Sequence, residues 1–581
     1  MRGYLIFDLR LAYYFLKKKS FLFNEKNIIF ITDKIAIYEL FKLRNIKVIS
    51  LDKVIGDTKR KKIFLSNYQK IDKRIKNLGK KNTYIFDKVE LNTIHNTNRF
   101  EVPRYYVGIK YLYYSLKIVL KQQNIKEIVY FDDLGFDLLC KNFYTKIFEL
   151  FCKENNLKFH IKKIDDYEKL NYLNLYSNFL TRIFLRFRDI SLFKFTNYFY
   201  QRLSNSFYKK FSKRQHIAFV GPKFDFAYLK HNLVSINLNN LLTTTLKKQK
   251  KKNLITIPHK EFKNLEDGIL WYLKTKNEKN KEFYKNVILK IYTYLKINKI
   301  KKIFWGVSPE PLIRNIIEFL KEKNYLVNGI QHGGKYFILN DDLYHKDSDF
   351  NLCNNYHSYG FSSSFKKKKY AKNTKILNTG CLKSYVYENT FRKIDKLNNN
   401  TILYVPIGLS NFFVPVIETS PSNRFILQRE ICKKLNGIKN LRKFVKILPL
   451  TYFKNINFDY NQLQANPIYF ELNKFKSLKI NSRSLNLSYE IIKPKIVIMD
   501  ALSTPLYELS GSDSEIIVFL DKFNQPKSDV LSILKKRFFI VKNVTEMMSC
   551  INLILKKNKN RSNNKLFYKK FYKQKNRNFI L

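Results

Sequence analysis

The feature that most restricts this chain is a recurring exchange of short apolar runs with longer amphipathic stretches. Runs at 4–8, 27–31, 47–51, 83–86 and 127–131 are followed, after a break, by runs at 216–220, 233–237, 302–305 and 326–331. A further series occupies 401–405, 444–448, 496–499, 516–520 and 538–541. Each run has the length of one strand and each interval has room for a helix, so the pattern predicts βα units around mostly parallel sheets, an α/β fold. Ile496, Val497, Ile498 and Met499 are apolar without alternation, as a strand covered on both faces must be. At 581 residues the chain exceeds what one core serves. It divides into an N-terminal Rossmann-like lobe over 1–365, a C-terminal Rossmann-like lobe over 366–560 and a basic tail over 561–581. The first lobe reads as an α/β part over 1–171, a basic aromatic stretch over 172–214 and a second α/β part over 215–365. The lobe boundary is set by 362–374, a Lys-rich polar stretch without clear periodicity.

With 109 Lys plus Arg against 47 Asp plus Glu, the formal net charge is +62. Such a balance invites nucleic acid or an anionic membrane as partner. Lys, Asn, Ile, Phe and Tyr are abundant throughout, however, and this mixture is what an AT-rich genome writes into any protein. A nucleic-acid surface tends instead to gather Arg forks on one face. The nucleic-acid-binding reading therefore rests on charge alone, without clustered Arg, aromatic platforms or a known binding module. Between 172 and 214, Phe179, Arg182, Phe184, Arg186, Phe187, Arg188 and Phe193 lie close together. That stretch fits an amphipathic insertion lying on anionic lipid, and equally a pair of surface helices packed on the sheet.

The six cysteines form neither a CxxC pair nor a regular framework, which implies a reduced, cytoplasmic chain. Asp8 and Arg10 interrupt the first apolar run before it reaches the length of a signal-peptide core, so no export signal is expected. The uncharged run over 397–417 is broken by Pro406, Gly408 and Pro415, unlike a spanning helix. Membrane contact is expected to be peripheral, at the inner face of the cell membrane.

Parallel sheets of this kind bind ligands outside the carboxyl ends of their strands, which makes the strand-to-helix loops the places to search. Gln331-His332-Gly333-Gly334 follows the apolar run ending at Ile330. A histidine there can take a proton from an attacking hydroxyl, since its ordinary pKa lies near neutrality, and the glycines Gly333 and Gly334 let a ligand approach the backbone. The alternative is a histidine that merely satisfies a loop carbonyl. A second segment, Asp500-Ala501-Leu502-Ser503-Thr504-Pro505, follows the apolar run ending at Met499. Thr504 reads as an N-cap and Pro505 as the first helical residue. A helix starting there aims free N–H groups at the cleft, where the phosphate of a nucleotide donor fits. With Thr504 as cap, the capping-box position is Tyr507, which leaves Glu508 available for ribose or sugar hydroxyls. The alternative is a plain capped helix with an exposed Glu.

Together these segments resemble the surface-carbohydrate biosynthesis transferases of the GT-B type. The resemblance runs through Gln331-His332-Gly333-Gly334-Lys335-Tyr336, Ser348-Asp349, Ser358-Tyr359-Gly360 and the segment from Asp500 to Leu520. It is similar, more distantly, to the glycerophosphotransferases of teichoic-acid synthesis. The resemblance implies a GT-B fold, two Rossmann-like lobes with a cleft between them, and a metal-independent transferase with no cofactor beyond its nucleotide-activated donor. It implies a carbohydrate or lipid-linked acceptor, His332 as base, Ser503 and Thr504 on phosphate, Glu508 orienting the donor and Lys446 offsetting leaving-group charge. Two positions depart from the pattern: Leu448 cannot hydrogen-bond a donor, and Tyr359 stands where relatives often have Trp. A CDP-polyol phosphotransferase of the same fold satisfies the same motifs. Asp132-Asp133, as an acceptor or metal site, and Ser308-Pro309-Glu310, as a loop facing the acceptor, also follow strands, and both read more simply as helix caps.

Overall fold

The computed structural model describes residues 1–7, 9–17, 27–81, 83–91, 102–131, 143–162, 215–220, 233–237, 262–306, 311–331, 333, 336–340, 352–365, 373–381, 383–408, 419–447, 468, 471–481, 483–520, 525–556 and 560–575. Among these, three parallel sheets organise the chain. The first holds β1 (Arg2–Leu5), β2 (Ile28–Thr32), β3 (Val48–Ser50), β6 (Glu127–Phe131) and β7 (Lys158–Lys162) in the order β3-β2-β1-β6-β7. The second holds β8 (Gln215–Val220), β9 (Leu233–Asn237), β10 (Lys302–Gly306), β11 (Leu326–Ile330), β12 (Asn355–Ser358) and β13 (Lys375–Asn378) in the order β13-β12-β11-β10-β8-β9. The third holds β14 (Asn398–Val405), β15 (Arg442–Lys446), β16 (Leu478–Asn481), β17 (Pro494–Met499), β18 (Glu515–Phe519) and β19 (Phe539–Val541) in the order β16-β15-β14-β17-β18-β19. Starting at a central strand, winding out to one edge and then returning to wind out to the other is the doubly wound Rossmann order.

Period-two alternation builds each core. In the third sheet Leu403, Val405, Val497, Met499, Ile516 and Val518 line one face, while Ile402, Tyr404, Ile496, Ile498, Ile517 and Phe519 line the other. Met499 stands level with Val405 and Val518 in register, so a slip of one residue would exchange the two faces. Each fully buried aliphatic side chain contributes about 1.5–3 kcal/mol. The helix Leu265–Ile297 joins two cores: Leu265, Ile269, Tyr272 and Leu273 pack on the first sheet, and Tyr284, Val287, Ile288, Ile291 and Leu295 on the second. Asn264 caps it by accepting the Asp267 N–H at 3.0 Å.

Several elements differ from the sequence expectation. The run 83–86 enters no parallel sheet; β4 (Tyr84–Phe86) pairs antiparallel with β5 (Val89–Leu91) across Asp87 and Lys88, whose φ values of 44° and 62° make the two-residue turn. The second sheet continues past 365, because β13 pairs with β12. The terminal basic stretch is part of the fold: Phe567 and Phe571 of the helix Leu566–Phe571 are fully buried in the third-sheet core. The chain then returns to the second sheet, where Tyr572 O accepts the Cys381 N–H at 2.7 Å and Lys575 N donates to Thr379 O at 3.0 Å. Gly380 sits there at φ +77°, and a Cβ on it would stand 2.1 Å from Lys573 O. The second and third sheets thus form two Rossmann-like lobes of a GT-B arrangement, with the first sheet as a further α/β unit packed against both.

Candidate active site

The end of β11 and the end of β17 meet between the lobes. A Cβ built on Gly333, in the loop after β11, would lie 3.9 Å from Thr504 Oγ1 in the loop after β17. The loops are brought together by contacts alongside. Leu339 forms an antiparallel bridge to Pro526, Asn340 N donates to Gln525 O at 3.0 Å, and Lys527 N donates to Ile338 O at 2.8 Å. Asp529, at the start of the helix Ser528–Arg537, accepts Ser362 Oγ at 2.6 Å and both Ser363 N and Ser363 Oγ at 2.9 Å. Burial alone would raise its carboxyl pKa, but these hydrogen bonds outweigh it and hold the group below the usual range.

On the third-sheet side, Ser503 rather than Thr504 is the N-cap of the helix Thr504–Leu509. The Leu506 N–H closes the first turn on Ser503 O at 3.0 Å, and Ser503 keeps an extended backbone at φ −138°, ψ 172°. That start leaves Thr504 in the first turn, four residues before Glu508 and on the same helix face. The helix has six residues, so its dipole is smaller than the sequence expectation of an anion-attracting helix start assumed. Asp500, fully buried at the end of β17, accepts Ile407 N at 2.8 Å, Gln428 Nε2 at 2.6 Å and Tyr404 Oη at 3.3 Å. Its carbonyl accepts the Arg424 guanidinium. Asp500 is thereby the residue that ties the Ser503–Thr504 turn to β14 and to the helix Pro421–Gly437, a role its place after an apolar run did not disclose.

Glu508 stands beside the Tyr387 hydroxyl. Burial pushes its carboxyl above the usual range; the Tyr387 hydroxyl and the positive charges of Lys383 and Lys446 oppose that shift. Lys446, at the end of β15, is 7% exposed, with its Nζ on the Ile447 carbonyl. The structure therefore brings Lys446 and Glu508 into one electrostatic neighbourhood. Around them stand Tyr359, Cys381 and Tyr572, with the Tyr359 and Tyr572 rings 5.7 Å apart in an edge contact. Sequence reasoning missed Tyr387 and the returning tail, because neither lies in a strand-end motif.

On the second-sheet side, Gln331 and Gly333 are described, while His332 and Gly334 lie outside the described residues. The next described histidine, His357 on β12, is buried with Nε2 3.3 Å from Asn328 Oδ1, and burial pushes its pKa down to about 4. It stays neutral at pH 7 and packs against the Phe304 ring. Leu448, Asp132-Asp133, Ser308-Pro309-Glu310 and the basic aromatic stretch 172–214 also lie outside the described residues. Among the described residues no group of three or more His, Cys, Asp or Glu is placed to hold a metal ion, and no helix is long and apolar enough to cross a membrane.

The sequence matches no family model. It is similar to protein Ycf2 of Physcomitrium patens, 25% identical over 497 aligned residues, with 82% of this chain and 19% of that protein covered. The chain thus spans about a fifth of the length of that curated relative. Among solved structures it is similar to sucrose-phosphate synthase from Thermosynechococcus elongatus, with TM-score 0.35 and 9% identity over 62% of this chain and 95% of that one. It is also similar to Acinetobacter baumannii MurG, with TM-score 0.31 and 10% identity over 62% and 96% of the two chains. A third similarity is to Medicago truncatula UGT71G1 complexed with UDP-glucose, with TM-score 0.31 and 12% identity over 61% and 94%.

Proposed function

We propose that this chain is a GT-B glycosyltransferase that moves a sugar from a nucleotide-activated donor to a carbohydrate or lipid-linked acceptor in surface polysaccharide biosynthesis. The observation that carries the reading is the meeting of two strand-end loops from separate Rossmann-like lobes, Gly333 against Thr504. In this reading His332 serves the acceptor from one wall, and Ser503, Thr504, Glu508 and Lys446 serve the donor from the other. In the reaction, His332 takes the proton of the acceptor hydroxyl as its oxygen bonds to the donor's reactive carbon and the bond from that carbon to the nucleoside diphosphate breaks. Ser503 and Thr504 hydrogen-bond the diphosphate, and Lys446 offsets the charge that develops as it leaves. Glu508, beside Tyr387, orients the donor's hydroxyls. No metal is required by these roles, since a positive side chain and hydroxyl donors face the leaving group.

The test is a panel of UDP-, GDP- and dTDP-sugars and CDP-glycerol, first for thermal stabilisation and then for turnover. His332→Ala should lower turnover by about 10²–10⁴-fold and leave donor affinity nearly unchanged. Glu508→Ala should weaken donor affinity instead. Near-parental turnover in His332→Ala would remove the base from the scheme, and a response to CDP-glycerol alone would move the reaction to polyol-phosphate transfer.

A further inference from the structure

Gln331 is 1% exposed and uses its backbone N–H and both ends of its side-chain amide at the point where β11 ends. Its backbone N–H donates to His357 O at 3.0 Å, which carries the β11–β12 ladder one step beyond the strand. Its Oε1 accepts the Tyr359 N–H at 2.9 Å, where the chain leaves β12. Its Nε2 donates to Gly333 O at 2.5 Å. One side chain thus grips the neighbouring strand with its acceptor and the loop two residues ahead with its donor. A Cβ built on Gly333 would lie 3.9 Å from Thr504 Oγ1, so the amide fixes the second-sheet wall where its loop meets the loop after β17.

We infer that Gln331 is a positioning residue for transfer, setting the loop that carries the proposed base against the Ser503–Thr504 wall. This rests on the transferase reading of that cleft. The chemistry explains why an amide stands there. A carboxylate supplies the acceptor for Tyr359 but presents a second oxygen to Gly333 O, where two acceptors repel; a thioether supplies neither bond. Buried as it is, an unmet carbonyl or N–H in this turn would be costly enough to shift the loop. A shift of about 1 Å in a group that must meet a reacting atom lowers turnover by about 10²-fold.

Gln331→Glu separates the two bonds at constant shape, and Gln331→Met removes both while filling the same space. Turnover would be read as release of nucleoside diphosphate from UDP-glucose and GDP-mannose, or of CMP from CDP-glycerol, together with amide exchange over residues 331–337. The expected result for Gln331→Glu is a kcat about 10²-fold lower with a donor KM within about twofold of the parent, and faster exchange at Gly333. A purely structural glutamine would lower the melting temperature and leave kcat per folded molecule unchanged, which would overturn the inference. If the parent turns over none of these donors, the transferase reading fails on its own account. Exchange then decides the positioning claim: parental exchange at Gly333 in both variants would overturn that too.

Discussion

Asp500 offers the sharpest test of how the third-sheet wall is held. Replacing it by Ala removes the acceptor of Ile407 N, Gln428 Nε2 and Tyr404 Oη and leaves those donors inside the protein beside Arg424. Each orphaned buried group costs about 1–3 kcal/mol; because the three overlap, the loss should be about 3–5 kcal/mol. Asp500→Asn keeps the shape and one acceptor oxygen. Burial raises the Asp500 carboxyl pKa, with Arg424 and Gln428 opposing, so the folded state binds this proton more tightly than the unfolded one. Parent stability from this group is therefore greatest in acid and is lost as pH rises through the folded pKa. Since burial disfavours the charged form, the uncharged Asp500→Asn should lie within about 1 kcal/mol of the parent at pH 7. Its deficit should be largest in acid and shrink towards neutral pH. The two tryptophans, Trp271 and Trp305, lie outside the third sheet, so amide exchange of 401–407 and 494–500 is the right probe. Asp500→Ala should speed it by about 10²–10³-fold, at about 1.4 kcal/mol per decade. Equal loss in the Asn and Ala variants, or parental exchange in Asp500→Ala, would refute the argument.

Other outcomes follow from the same geometry. Gly380→Ala should detach the returning tail, because it must adopt φ +77° and place a methyl 2.1 Å from Lys573 O; limited proteolysis should then cut within 560–575, and an intact tail would count against it. Glu508→Gln should flatten the pH dependence of stability. The folded Glu508 pKa is raised by burial against an ordinary value of 4.5, so the parent loses stability with rising pH where the Gln variant does not, and parallel melting-temperature profiles would contradict this. Asp57→Ala should weaken the join between the first and third sheets, since Asp57 accepts Ser420 N at 3.0 Å and Asn423 Nδ2 at 2.9 Å at the start of the helix Pro421–Gly437. A loss of about 1–2 kcal/mol, read as faster exchange at 419–425, is expected, and unchanged exchange would argue that the join lies elsewhere.

Much of the architecture was legible because buried parallel strands must be apolar on both faces. The runs around Ile402, Ile496 and Ile516 could hardly be anything else once turn and cap residues follow them. The strands that escaped were edge strands or strands whose buried side chains are polar. In β12, Asn355, His357 and Ser358 bond the neighbouring strands: Asn355 Nδ2 and His357 Nε2 both reach Asn328 Oδ1, and Ser358 Oγ donates to Leu377 O. Such a strand carries no apolar alternation to read. The same limit applied at the site. Ser503, Thr504 and Glu508 stood out as a strand end followed by helix signals, although the cap fell one residue earlier than its spacing suggested. Gln331, Tyr387 and Asp500 act through partners distant in sequence, namely Tyr359, Glu508 and Gln428, and no local pattern encodes such pairs.

The central claim is that the Ser503–Thr504 wall holds the diphosphate of an activated nucleotide. Calorimetric titration of the parent and of a Ser503→Ala, Thr504→Val double variant with UDP, GDP, dTDP and CDP tests it most directly. At least one nucleotide should bind the parent, and at about a hundred times its Kd it should stabilise the fold by about 2.7 kcal/mol. The double variant, folded like the parent, should lose most of that affinity. Equal binding to the two proteins, or no binding of any nucleotide to the parent, would contradict it.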